Sequence, residues 1–395
     1  MAPARISSAT ASPAFVFVLT MGMVNLFADM TYEGGGAMNG QFMGSLGAGA
    51  AAVAITAGLG EFLGYALRSV AGGIADRTGR YWLVTFVGYA LNLFAVPAMA
   101  LAGNWYVAAG LIFAERIGRA LRKPTVEAML SYTTARYGRG WVYAVNTALD
   151  ETGATLGPLL VGAVLMLKGD YRTGYALLLV SSVLAIGFLA AARLKFPLPS
   201  RLEEGPTATA RGFGCAYYLY MAAGACFAAG LLSYELVAYH LSTTGAVAAP
   251  WIPLLLALST ACGVVANVAL GRLYDRAPLA TLLAAVGLSS LFTPFAFAGG
   301  LAPLLIAMAL WGVGYATQDT LLKAVVAGLL PEGRRNLAFG LFYTGYGVGW
   351  LVGSIATGLL YDRSWLALVI FAVAAQLASL PLFVIARRHE AAHAT

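Results

Sequence analysis

A chain of 395 residues with 60% hydrophobic and only 10% charged residues carries far less charge than the roughly 25% of a soluble domain. Its mean hydropathy of +0.78 excludes a dispersed soluble protein, because polar groups could not cover that much apolar surface. The formal net charge of +7 is then no nucleic-acid signal; it reflects basic loops on one side of a membrane.

Apolar runs of about 20 residues or more, enough to cross hydrocarbon as helices, recur along the chain and favour helices over a β-barrel. After a short tail carrying only Arg5, twelve spans are predicted, near 14–34, 47–75, 81–102, 105–132, 140–167, 171–194, 214–241, 247–273, 279–299, 303–329, 336–361 and 365–387. Residues 196–212 break the pattern with Pro197, Pro199, Glu203, Glu204 and Pro206, so they read as a linker. The expected fold class is an all-α membrane protein. It has an N-terminal six-helix bundle over 1–195, a cytoplasmic linker over 196–212 and a C-terminal six-helix bundle over 213–395.

Lysine and arginine set the orientation. With the N-terminus inside, cytoplasmic loops and tails hold Arg77, Arg80, Arg136, Arg139, Arg193, Lys195, Arg272, Arg276, Arg334, Arg335, Arg387 and Arg388. The opposite loops hold only Lys168, Arg172 and Arg363. Both termini are therefore expected in the cytoplasm, with the chain a multi-pass monomer of the cell (inner) membrane.

Cys215, Cys226 and Cys262 lie in apolar runs, and His240, His389 and His393 are scattered. Neither set has metal-ligand spacing, and no cofactor is expected. No Ser/His/Asp constellation or phosphate-cradling loop points to an enzyme.

An ionised group in hydrocarbon needs a partner or a wet cavity, yet many of the spans carry one. Span one has Asp29 and Glu33, and span two has Glu61 and Arg68. Span four has Glu115, Arg116, Arg119, Arg122, Lys123 and Glu127. Span five has Asp150 and Glu151, span seven Glu235, and span ten Asp319 and Lys323. Arg116, Arg119, Lys123 and Glu127 recur at helical spacing as one stripe. Asp29 and Asp150 are opposite charges on neighbouring helices that could answer Arg116 or Arg119. Those arginines either bind substrate or form structural pairs with Asp150 or Glu151. Asp319 and Lys323 are an i,i+4 pair that neutralises itself or takes part in coupling. Glu33 and Glu235 hold equivalent places. Glu33 is either a site carboxylate or an outer-end group near headgroups, because Gly34-Gly35-Gly36 is expected to loosen span one. In span eleven, Tyr343, Tyr346 and Trp350 either stack on a planar or cationic solute or face lipid.

Between spans two and three lies a charged turn, Gly72-Gly73-Ile74-Ala75-Asp76-Arg77-Thr78-Gly79-Arg80. Asp76 stands at a helix C-terminus, where the dipole disfavours a carboxylate unless cations or another helix N-terminus answer it. This turn resembles the loop 2–3 signature of the major facilitator superfamily of transporters, G-x-L-a-D-R-x-G-R followed by a basic residue, with Tyr81 in the last place. The resemblance implies two pseudo-symmetric six-helix bundles. It also implies that Asp76, with Gly72, Arg77, Gly79 and Arg80, closes the cytoplasmic side against the other half. Gly271-x-Leu273-x-Asp275-Arg276 echoes the turn after span eight, so Asp275 and Arg276 join the expected gate.

Other echoes run the length of the chain. Thr31-Tyr32-Glu33 returns as Ser233-Tyr234-Glu235, and Gly118, Gly153, Gly157 and Gly162 return as Gly314, Gly349, Gly353 and Gly358. This is the pattern of a duplicated unit. Span five, Gly153-x-x-x-Gly157-Pro158-x-x-x-Gly162, is similar to an exporter-associated motif of the superfamily. Its glycines at four-residue spacing also allow close helix packing. Glu115-Arg116-Ile117-Gly118-Arg119-Ala120 resembles the R-x-x-Q-G motif of span four, but Arg119 and Ala120 depart from it, which puts that motif's proton-relay role in doubt.

The resemblance implies a secondary transporter that moves a small organic solute by alternating access. Its site is expected near mid-membrane, lined by spans one, four, seven and ten. Proton-coupled efflux is the leading reading, with Asp29 and Asp150 as proton carriers. Proton-coupled uptake or exchange of a small organic anion is the alternative, motivated by the positive stripe of span four. Sodium is the alternative coupling ion. The expected partners are a small-molecule substrate and the lipid bilayer, without nucleic acid.

Overall fold

Bilayer hydrocarbon offers no partners to backbone N–H and C=O groups, so long apolar runs close their own hydrogen bonds as helices. The computed structural model describes residues 13–131, 139–197, 214–328 and 335–394, and among the described residues there is no strand. Among the described residues, ten helical segments are long and apolar enough to cross a membrane. Two more, Trp105–Ser131 and Arg335–Tyr361, are each 27 residues long but less apolar. The first carries the charges of span four, and the second is rich in glycine and tyrosine. With these two, the expected twelve spans are accounted for. Almost all of the expected linker lies outside the described residues.

Four spans differ from expectation. Span one runs unbroken from Pro13 to Ser45, so Gly34–Gly36 do not loosen it. Gly34 lies against the Gly157 backbone and Gly35 against Val96, and this close packing holds the helix. Glu33 is therefore deep in the helix rather than at a frayed outer end. Span seven is broken instead: Cys215–Gly230 stops and Tyr234–Thr244 restarts, with Ser233 as N-cap. The freed carbonyls are satisfied, Leu232 by Trp311 Nε1 at 3.0 Å and Gly230 by Gln376 Nε2 at 3.0 Å. Span nine is likewise in two pieces, Pro278–Ser290 and Phe292–Phe297. Span ten holds one turn of π-helix over Thr317–Leu322, a feature that often accompanies functional residues.

The glycines of the repeat sit at helix crossings. A Cβ at Gly153 or Gly157 would collide with the Leu26 or Met30 carbonyl of span one. A Cβ at Gly349 or Gly353 would collide in the same way with Ala225 or Ala229 of span seven. Pro158 lies within the continuous span five, Arg139–Lys168. Gly157→Leu is expected to lose most folded protein, since overpacking here forces backbone apart and costs at least about 1–3 kcal/mol. Size-exclusion profiles and thermal melts against wild type check it.

The turns follow local chemistry. Gly79 ends span two in the left-handed region, φ 64°, and its N–H bonds to Ala75 O. Asp170 caps span six, accepting from the N–H groups of Arg172 and Thr173 at 3.1 and 3.0 Å. Arg172 reaches back to the carbonyls of Ala100 and Ala102, both at 2.9 Å, which makes it a structural clasp at the end of span three. The Thr173 hydroxyl, with those two N–H groups, holds the Asp170 carboxyl below its ordinary value of 3.8. A lowered pKa stabilises the fold above the unfolded value, and that contribution fades as pH falls through the folded one. Asp170→Ala is expected to cost about 0.5–1 kcal/mol at neutral pH and less once wild-type Asp170 is itself protonated, since the neutral carboxyl keeps one acceptor for the cap. Thermal melts of both proteins across an acid series measure this.

The halves meet toward the end of the bundle away from the chain termini. There span eleven packs on span two, span eight on span five, and the second piece of span seven on span one. Gly58 lies against Ser354 and Leu351, Gly358 against Ala51 and Ala54, and Gly162 against Leu254. At the opposite end Arg77, Arg80, Asp275 and Arg276 are exposed. Among the described residues none of these four forms an ion pair. Gly72 and the side chain of Asp76 lie outside the set whose surroundings are described.

Candidate functional site

The charged residues of the spans converge where the two halves face each other. On span one, Asn25, Asp29 and Tyr32 follow i, i+4, i+7 and share a face; all three are buried. Span four presents Glu115, Arg116, Arg119, Arg122 and Lys123 toward them. Close contact of spans three and four, with Gly88 against Arg122 and Gly118 against Asn92, brings Tyr89 and Asn92 into the same layer.

Arg122 organises the layer. It donates to Asp29 Oδ1 at 3.1 Å, Asn92 Oδ1 at 3.1 Å and the Tyr89 hydroxyl at 3.3 Å. Tyr89 in turn donates to Asn25 at 2.6 Å, and Asn25 to Asn146 at 2.9 Å. Asn92 donates to Glu115 Oε1 at 2.6 Å. The carboxyl groups of Asp29 and Asp150 lie close together across the contact of spans one and five, near enough for one proton to be shared between them. Lys123 is the foremost cation near Asp150.

Arg116 forms the second centre. It lies 2.6 Å from Glu61, 3.2 Å from Glu235 and 3.4 Å from Glu115. Glu235 stands in the first turn of the restarted helix of span seven, so this cluster ties one half to the other. Tyr32 donates to Glu61 at 3.5 Å, and its ring carries the Arg119 guanidinium at 4.0 Å and that of Arg116 at 4.8 Å. Among the described residues the Arg119 Nε has no hydrogen-bond partner.

The third group lies on span ten. Asp319 and Lys323 pair at 3.2 Å, with side chains 43% and 48% exposed, so they face open space. Within the same π-turn, Gln318 donates to the Tyr65 hydroxyl of span two and accepts from Tyr346 at 2.8 Å. Tyr343, Tyr346 and Trp350 are all buried. Tyr65 stacks on Tyr343 at 5.3 Å and meets Tyr346 edge-on at 5.7 Å. The span-eleven aromatics therefore face inward and seal against span two.

Comparison with known proteins places this arrangement. The sequence profile of the Major Facilitator Superfamily matches residues 213–395. An uncharacterized protein of Mycobacterium tuberculosis is 33% identical over 375 residues, covering 93% of this chain and 92% of its own length. An uncharacterized MFS-type transporter of Methanocaldococcus jannaschii is 24% identical over 369 residues, covering 88% and 89%. The chain belongs to the major facilitator superfamily. Among solved structures, the nucleoside transporter NupG has a TM-score of 0.74 at 12% identity, covering 93% of this chain and 99% of that one. The peptide transporter POT in complex with alafosfalin has a TM-score of 0.72 at 17% identity, covering 93% of each. These two likenesses speak to fold.

Within this superfamily member, the structure redraws the expected partners. Arg116 and Arg119 make no close ion pair with Asp150 or Glu151 among the described residues; Arg116 takes Glu61, Glu115 and Glu235 instead. Asp29 is answered by Arg122, which the span-four stripe left out. Glu33 and Glu235 differ despite their equivalent places: Glu235 is paired, and Glu33 forms no ion pair among the described residues. Glu61 and Arg68 share a face but do not pair; Arg68 donates to Gly64 O at 3.1 Å and lies 4.7 Å over Tyr65. Tyr32, Tyr65, Asn92 and Gln318 join the site without having been singled out for it. Neutral side chains at mid-span give no signal until a charged partner is placed beside them.

Proposed function

We propose that this superfamily transporter is a proton-coupled exporter of a small organic solute, working by alternating access with both termini in the cytoplasm of a cell (inner) membrane. The observation that carries the reading is the close approach of the Asp29 and Asp150 carboxyls in the buried layer held by Arg122. A proton held there changes the charge of a cleft whose opening differs between states, so proton binding biases the alternation. The termini-side exposure of Arg77, Arg80, Asp275 and Arg276, with the halves packed together at the other end, then corresponds to an inward-open state. In that state the expected cytoplasmic gate stands apart and the Arg116–Glu235 contact helps close the outside. The span-five resemblance to exporters supports the direction.

The test is accumulation in proteoliposomes with an acidic lumen. Radiolabelled tetraphenylphosphonium, ethidium and benzoate are supplied outside. At least one is expected to concentrate in the lumen only while the pH gradient lasts, and a protonophore is expected to abolish it. Accumulation that follows a sodium gradient instead, or none for any of the three, would sink the proposal.

A further inference from the structure

We infer that the cleft takes an organic cation, which replaces protons on a surplus of carboxylates; this rests on the proton-coupled reading above. Arg122 answers Asp29 and Lys323 answers Asp319, one for one. Arg116 alone answers Glu61, Glu115 and Glu235. What remains is Glu33, Asp150 and Glu151 against Arg119 and Lys123, carried by span one and by spans five and four, which pack on it. Carboxylates thus outnumber cations by three in this set, and Arg68 and Glu127 farther along offset each other. A surplus of buried negative charge must be neutralised. Protons can do it, and so can a cationic solute. An anion would deepen the imbalance.

A second observation is independent of the charge balance. Tyr343 is 6% exposed, and its hydroxyl has no hydrogen-bond partner among the described residues. Its ring stacks on Tyr65, whose own face carries the Arg68 guanidinium, so the hydroxyl lies buried in the seam between spans eleven and two. A buried hydroxyl without a partner is suited to accept from an ammonium or guanidinium N–H. The aromatic faces nearby already hold cations: Arg119 over Tyr32 at 4.0 Å and Arg68 over Tyr65 at 4.7 Å. Aromatic faces bind organic cations by the same attraction. Because solute and protons neutralise the same carboxylates, binding one releases the other, and exchange follows without a separate coupling device.

Equilibrium binding to the full-length protein in nanodiscs tests this, with tetraphenylphosphonium, ethidium and benzoate as probes and empty nanodiscs as the control. Both cations are expected to bind, to release protons into weak buffer, and to gain up to tenfold in affinity per pH unit wherever one proton leaves per cation bound. Glu33→Gln and Glu151→Gln should each weaken tetraphenylphosphonium about tenfold, and Arg119→Gln should tighten it. Tighter binding of benzoate than of either cation, cation binding without proton release, or no cation binding overturns the inference. These measurements need no flux. Cation binding without gradient-driven accumulation would remove the transport coupling and leave the charge preference. Gradient-driven accumulation of benzoate alone would do the reverse.

Discussion

Replacing Arg116 by methionine is expected to destabilise the protein by about 3–5 kcal/mol, the cost of stripping a buried ionic cluster of one partner. Three carboxylates, Glu61, Glu115 and Glu235, lie within 3.4 Å of this single guanidinium. Without it they face one another in a nearly dry environment, and methionine offers no hydrogen bond. Glu61→Gln should behave in the opposite way. It keeps the shape and an acceptor for Tyr32 and Arg116, and removes one of three competing negative charges. Its stability should fall within about 1 kcal/mol of wild type or rise above it. Arg116→Met combined with Glu235→Gln should recover part of the loss, since one uncompensated charge has gone. Thermal unfolding in detergent ranks the variants. If Arg116→Met and Glu61→Gln are equally damaging, the cluster is not short of positive charge and its reading fails.

The fold was legible because its signals are long-ranged and redundant. Apolar length gave the spans, and the glycine echoes, Gly153 with Gly349 and Gly157 with Gly353, mark equivalent crossings: span five on span one, span eleven on span seven. The site was only half legible. Span four carries Arg116, Arg119, Arg122 and Lys123 within two turns, so its cations point in several directions. Which one meets Asp29 depends on helix rotation, which is fixed by packing. Gly88 and Gly118 draw span three in, and that turns Arg122 toward Asp29, Asn92 and Tyr89. The break in span seven had a visible cap, Ser233, but the average hydropathy across the span hides a three-residue interruption. The trio Gly34–Gly36 misled in the other direction: glycine weakens an isolated helix but also permits the tight contacts that hold this one straight. The inward turn of Tyr343 and Tyr346 was likewise undecidable, because a stripe facing lipid and one facing span two have the same spacing.

Asp29→Asn is expected to abolish uphill transport while leaving solute exchange intact. With one proton moved per monovalent cation, each unit of pH gradient sustains about a tenfold concentration ratio, because one pKa unit is worth 1.36 kcal/mol. A ligand that binds both states equally shifts neither, so a cleft that no longer gains or loses a proton should let the ratio fall to one. Asparagine is close to isosteric with aspartate, and Arg122 keeps its bonds to Asn92 and Tyr89. Asparagine keeps an acceptor for Arg122 but loses the buried ion pair, so the variant's melting temperature is measured to separate loss of transport from loss of fold. Asp150→Asn should show the same split, because the shared proton needs both carboxyls. Counterflow of labelled tetraphenylphosphonium against unlabelled solute, run without a pH gradient, should proceed within about threefold of wild type. Near-normal uphill accumulation by Asp29→Asn would move the proton carrier elsewhere. The Arg116 cluster, with Glu61 and Glu235 on opposite sides of the seam, would be the next place to look, since protonation there would loosen the contact between the halves directly.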